Sequence, residues 1–155
     1  MTIINDFAKT ESFLESKLIN AQLDSFRVYS IELQVNFLAN SSEGKQSYWL
    51  SATGDISLCD GDYVCRDRSE VIEKLHGLIG HKISAVKIET NGALAISFGS
   101  KVLTICLDDE AFEVIWSVTP ESPEPYTDHE WSVTLTDESE LVMSLPASIK
   151  GGGDN

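Results

Sequence analysis

The side chains that could do chemistry in this chain are three cysteines, three histidines and a large excess of carboxylates, 25 Asp and Glu in 155 residues. Their spacings argue against the common constellations. Cys59 and Cys65 stand six positions apart, outside the two-to-four spacing of a zinc site, and His76 and His81 are five apart, so one helix does not put both on one face. Asp60-Gly61-Asp62 lacks the remaining ligands of a calcium loop, and no glycine-rich phosphate loop is present. Cys106 and His129 are a conceivable nucleophile and base, although a buried, inert thiol accounts for Cys106 more simply. Carboxylate pairs are unavoidable among so many acids and carry no information about hydrolysis. The expectation is therefore no metal, no cofactor and no enzyme.

The carboxylates say more by where they lie. The formal net charge is −14. Up to Leu107, 13 acids accompany 10 bases, whereas from Asp108 onward 12 acids face only Lys150. So much like charge repels nucleic acid and anionic membrane, and it costs stability through self-repulsion. A solvated face kept for solubility is one reading; the other is a docking surface that steers a basic partner. On the second reading the candidate partner-binding residues are Asp108, Asp109, Glu110, Glu121, Glu124, Asp128 and Glu130, with Tyr126 as an apolar anchor in the proline-bearing loop from Pro120. A loop tyrosine packed on its own domain explains Tyr126 equally well.

The elements that must position these residues read as one α+β domain over residues 1–146, followed by a flexible tail over 147–155 with Gly151-Gly152-Gly153. No run approaches the roughly 20 apolar residues of a membrane helix, and MTIINDFAKTESF lacks the basic and apolar regions of a signal peptide, so a cytoplasmic protein with reduced thiols is expected. Ser12 and Glu15 have capping-box spacing, predicting a helix over about 10–21. Tyr29, Ile31, Leu33, Val35 and Phe37 alternate as one buried strand face, with a bulge expected near Val28–Tyr29. Asn40 to Gly44 turns this strand into a second one carrying Tyr48, Trp49 and Leu50, and Asp55 to Cys59 is a third.

Val71, Ile72, Leu75, Leu78 and Ile79 form a one-sided stripe on a helix over 69–79, ended by Gly80, with close packing expected at Gly77. Strands over 83–89 and 93–98 are joined by the strong hairpin turn Asn91-Gly92. Strands over 102–107 and 112–119 follow. Trp116-Ser117-Val118-Thr119 recurs as Trp131-Ser132-Val133-Thr134, best read as hairpin arms placing both tryptophans in the core. With a last strand over 141–145, the expected architecture is an antiparallel sheet of about 7–9 strands, curved or partly closed, with two helices packed on it.

The segment Leu75-His76-Gly77-Leu78-Ile79-Gly80-His81-Lys82-Ile83, with Ala93 to Phe98, Leu103-Thr104-Ile105 and Phe112 to Trp116, resembles a group of small bacterial immunity proteins. These belong to contact-dependent growth inhibition and related polymorphic toxin systems. The likeness covers about 40 residues and is structural. It implies a cytosolic inhibitor that occludes a cognate basic toxin domain, commonly a nuclease; separately, a monomer is expected. An acidic chaperone for a secreted effector is the alternative, and an enzyme of unassigned chemistry the third.

Overall fold

A computed structural model describes residues 2–41, 44–107, 114–121 and 131–145. The expected tail over 147–155 lies outside these residues. Among them the chain forms β1 (Thr2–Ile4), α1 (Phe7–Leu18), β2 (Gln22–Val28), β3 (Leu33–Ser41), β4 (Gly44–Ala52), β5 (Asp55–Asp60) and β6 (Tyr63–Cys65). There follow α2 (Arg68–His76), β7 (Ala85–Ile88), β8 (Leu94–Phe98), β9 (Lys101–Cys106), β10 (Val114–Pro120), β11 (Ser132–Thr136) and β12 (Leu141–Leu145). The α+β class and the antiparallel pairing are as expected. The strands divide between two sheets, with orders β1-β12-β11-β10-β4-β3-β2 and β6-β5-β9-β8-β7, and neither closes into a barrel. The short edge strands β1 and β6 have too few residues to show a period-two pattern in sequence.

The two sheets share one core because each has an apolar face to bury. Leu33, Val35 and Phe37 of β3, Tyr48, Leu50 and Ala52 of β4, and Trp116 and Val118 of β10 are buried with Leu94, Ile96, Phe98, Leu103 and Ile105 of the smaller sheet. The Phe37 and Phe98 rings meet across the gap, centroids 6.4 Å apart. The Asn91-Gly92 turn reaches over to the larger sheet, where Gly92 O accepts a 2.9 Å hydrogen bond from Trp116 Nε1. The two Trp-Ser-Val-Thr repeats are hairpin arms in register, with Ser117 opposite Thr134 and Val118 opposite Val133. Both tryptophans are core: Trp131 packs edge-on against Phe13 of α1 at 4.9 Å.

Several local expectations are corrected. Helix α1 begins at Phe7, not near Thr10, because Asp6 is its N-cap and accepts from Lys9 N at 3.0 Å. The first member of its buried stripe, Thr10, Leu14 and Leu18, is polar, which hides the period. Thr10 Oγ1 has no hydrogen-bond partner among the described residues. Replacing it by the isosteric Val removes that desolvated hydroxyl, so Thr10→Val should raise the unfolding free energy by about 1 kcal/mol, readable as a higher urea midpoint at unchanged slope.

Helix α2 is capped by Asp67, which accepts from Glu70 N at 3.1 Å. It ends at His76, so of its predicted stripe Val71, Leu75 and Leu78 are buried while Ile79 is exposed. At Gly77 the close approach is local: an added Cβ would stand 3.3 Å from Lys74 O, the backbone of the turn before it, and meets nothing on the sheets. The predicted long strand through Tyr29 and Ile31 is instead a turn between β2 and β3, closed by Tyr29 N donating to Glu32 O at 2.8 Å. Both side chains are exposed. The bulge lies between Leu23 and Ser25, not near Val28.

Candidate docking face

Among the described residues, the outward side of the seven-stranded sheet carries little charge along β10, β11 and β12 for so acidic a chain. On β10, β11 and β12 the residues between the buried ones are Ser117, Thr119, Ser132, Thr134, Val142 and Ser144, none charged, in a chain that is 23% charged. The same rows continue across Gln34 and Asn36 of β3 and Trp49 and Ser51 of β4, since Gln34 lies opposite Ser51, Ser51 opposite Ser117, and Trp49 opposite both Asn36 and Thr119. Seven strands at about 4.8 Å spacing give a face about 29 Å across.

Trp49 is its largest side chain. Its parity is opposite to the buried Tyr48 and Leu50, so it points outward and is half-buried by its neighbours. Arg27 lies over the indole ring, its guanidinium carbon 4.8 Å from the centroid. The Leu23/Ser25 bulge explains that placement. It shifts parity after Leu23, so Phe26 faces the core opposite Val35 and Arg27 faces outward opposite Gln34. Around them Arg27, Gln34, Trp49, Ser51 and Thr119 line a shallow cleft of about 260 Å³. Asn36 is sunk beneath this surface and spends its amide on Ser47 Oγ, 2.6 Å, and Tyr48 O, 3.3 Å.

Carboxylates stand at both ends. At one end Glu121, the residue after β10, donates its N–H to Ser47 O at 2.8 Å and accepts from Trp49 Nε1 at 3.4 Å. At the other, Glu32 accepts from Gln34 Nε2 at 2.8 Å and from Ser51 Oγ. At that same end the β11–β12 turn exposes Asp137, Glu138 and Glu140, because Val114, at the start of β10, is paired with Thr136. Of the candidate partner-binding residues, Glu121 is thus part of this face. Asp108, Asp109, Glu110, Glu124, Tyr126, Asp128 and Glu130 lie outside the described residues. Trp49, Arg27 and Glu32 were not singled out from sequence; the one available signal was that Trp49 falls out of phase with its buried neighbours.

The one hydroxyl held by a carboxylate among the described residues of this face is Ser51, donating from Oγ to Glu32. The three cysteines are free thiols on the smaller sheet, Cys65 buried and Cys59 and Cys106 half-buried. His129, the base suggested for Cys106, lies outside the described residues. Among the described residues a cluster of perturbed titratable side chains lies elsewhere, between β6 and α2. Tyr63 Oη donates to Glu70 Oε1 at 2.6 Å, which holds the Glu70 carboxyl below the usual carboxylate range and raises the Tyr63 phenol. Burial pushes the Cys65 thiol up, with Glu70 adding to it.

Because the folded Glu70 carboxyl titrates below its unfolded value, its stabilising contribution is present above the ordinary carboxylate range and is lost as pH falls through the depressed value. Tyr63→Phe should raise the Glu70 titration midpoint, measured from its side-chain carboxyl carbon shift. An unmoved midpoint would mean the phenol is not the cause.

No protein-family model, curated protein or solved structure matches the chain. No helix among the described residues is long and apolar enough to cross a membrane.

Proposed function

We propose that this chain is an immunity-type inhibitor that binds a basic toxin domain and covers its active site or substrate surface. One observation carries the reading: a Trp-centred sheet face, free of charged side chains across β10, β11 and β12 and bordered at both ends by carboxylates, in a chain of net charge −14. Protein interfaces place aromatic residues and arginine in a centre depleted of charge and put polar groups at the rim. Trp49 and Arg27 fill the first role and Glu121, Asp137, Glu138 and Glu140 the second. The resemblance of the Leu75 to Trp116 segment to immunity proteins of polymorphic toxin systems points the same way.

The mechanism follows from charge and desolvation. Rim carboxylates steer a cationic surface into register and occupy positions where a nuclease would hold phosphates, while the Trp49 cleft supplies the desolvated contact that slows release. Inhibition is then stoichiometric and requires no turnover.

The test is co-expression with a toxin domain encoded by a neighbouring gene, where this chain should restore growth. Reversing Glu121, Glu124 and Asp128 together to Lys should slow association at least about tenfold at low ionic strength, with the difference shrinking as salt screens the rim. Equal binding of the reversed protein at low and high salt would remove the acidic steering from the mechanism, and failure to protect would remove the inhibitor reading itself.

A further inference from the structure

At the end of the sandwich where the chain passes from β4 to β5, a second cleft of about 270 Å³ opens between three connections. Ser30 and Ile31 come from the β2–β3 turn, Thr53, Gly54 and Asp55 from the β4–β5 link, and Arg66 and Arg68 from the link into α2. Its floor is apolar: Leu33, Ala52 and Ile56 line it, each nearly excluded from solvent. An apolar floor under a few convergent polar groups is the usual composition of a small-molecule site, and this volume lies just below the range for drug-sized ligands.

Two arginines converge here in a chain with only 11 basic residues against 25 acids. Arg68 is held in place by donating from Nη2 to Tyr29 O at 2.5 Å and to Glu32 O at 3.3 Å, so its guanidinium is fixed at the cleft with donors to spare. Arg66 makes no hydrogen bond or ion pair among the described residues, although Asp55 lines the same cleft. A second observation points to an apolar contact. The turn beside the cleft leaves Val28, Tyr29 and Ile31 exposed at 46%, 47% and 57%, three large apolar side chains in a row of four residues. Of the three, Ile31 lines the cleft itself, so an exposed apolar side chain stands beside the buried Leu33, Ala52 and Ile56.

We propose that this cleft binds a carboxylate carried on a compact apolar body, with Arg66 and Arg68 on the carboxylate and Ile31 closing over the body above Leu33, Ala52 and Ile56. Charge selects the class. Two guanidinium groups and the Asp55 carboxylate leave one net positive charge, which matches a monoanion; a phosphate monoester would set its second charge against Asp55. The planar fork of arginine suits a carboxylate in particular. The chemistry is shared by a free organic acid and by the C-terminus of a peptide ending in an apolar residue. The site is separate from the sheet face centred on Trp49 and does not depend on the inhibitor reading.

The experiment is an amide chemical-shift titration of the full chain with N-acetyl-leucine and, in parallel, N-acetyl-leucinamide, which lacks only the charge. Saturable shifts at Ile31, Thr53 and Gly54 with the acid, at least about tenfold weaker with the amide, are expected, and Arg66→Gln should weaken the acid by a similar factor. Arg66 is exposed, so this variant retains the fold. A hexapeptide ending in leucine with a free C-terminus separates the two sources: binding about tenfold tighter than N-acetyl-leucine assigns the cleft to peptide ends, and equal or weaker binding assigns it to small organic acids. No saturable shift with either the acid or the peptide, equal binding of acid and amide, or an unchanged Arg66→Gln protein would overturn the proposal.

Discussion

On the proposed function, Trp49→Ala is expected to weaken binding of the proposed basic partner domain by about 2–4 kcal/mol, roughly 30- to 1000-fold in Kd, mostly through faster release. The magnitude comes from what the indole does on the free surface. It holds Arg27 by its ring face and Glu121 by its Nε1, so truncation removes an aromatic anchor and also lets two charged side chains that border it relax. Stability should change little, because Trp49 faces away from the core formed by Tyr48, Leu50 and Ala52 on the same strand. Surface plasmon resonance against the immobilised partner, paired with a urea melt, separates the two effects. A Trp49→Ala protein that folds normally and binds with unchanged dissociation rate would move the anchor elsewhere on the molecule.

Gly54→Ala should be the most damaging single-methyl change among the described glycines, lowering the unfolding free energy by about 3 kcal/mol, a large share of the 5–15 kcal/mol typical of a domain. The reason is space. Gly54 sits where the chain crosses between the sheets, and its N–H and that of Thr53 both donate to Ile115 O, at 3.2 and 2.9 Å. An added Cβ would overlap the Cys106 carbonyl oxygen, which is backbone, and would stand 2.8 Å from Ile115 Cγ2. Neither β9 nor β10 can yield without disturbing a sheet. The same substitution at Gly77, which has an ordinary φ of −69° and meets only Lys74 O at 3.3 Å, should leave the denaturation midpoint unmoved or slightly higher. Equal losses at the two positions would refute the close approach at Gly54.

The comparison of these two glycines shows how much of the fold could be read in advance. Gly77 interrupts a helical pattern and so stands out locally, whereas nothing local distinguishes Gly54. Contacts between Gly54, Cys106 and Ile115 join residues about 50 to 60 positions apart, and no period or turn signal encodes such a contact. Asn91-Gly92, by contrast, was legible because its left-handed glycine, φ 96°, is a property of the turn itself. So was the pairing of the two Trp-Ser-Val-Thr arms. The misread stretch was Tyr29 to Ile31, where apolar alternation runs on through a hairpin turn and mimics a longer strand.

The candidate docking face divides in the same way. Sequence alone determined that this chain is acidic, that the acid is concentrated after Leu107, that its strands alternate and pair antiparallel, and that two helices accompany them. Those are local or compositional properties, set by side-chain type and by periods of two and 3.6 residues. Tertiary structure alone decided that the strands separate into two sheets around one core, that a bulge after Leu23 turns Arg27 outward, and that Trp49 stands between Arg27 and Glu121. Each of these depends on register between strands distant in the chain, where a shift of one residue sends every side chain to the opposite face.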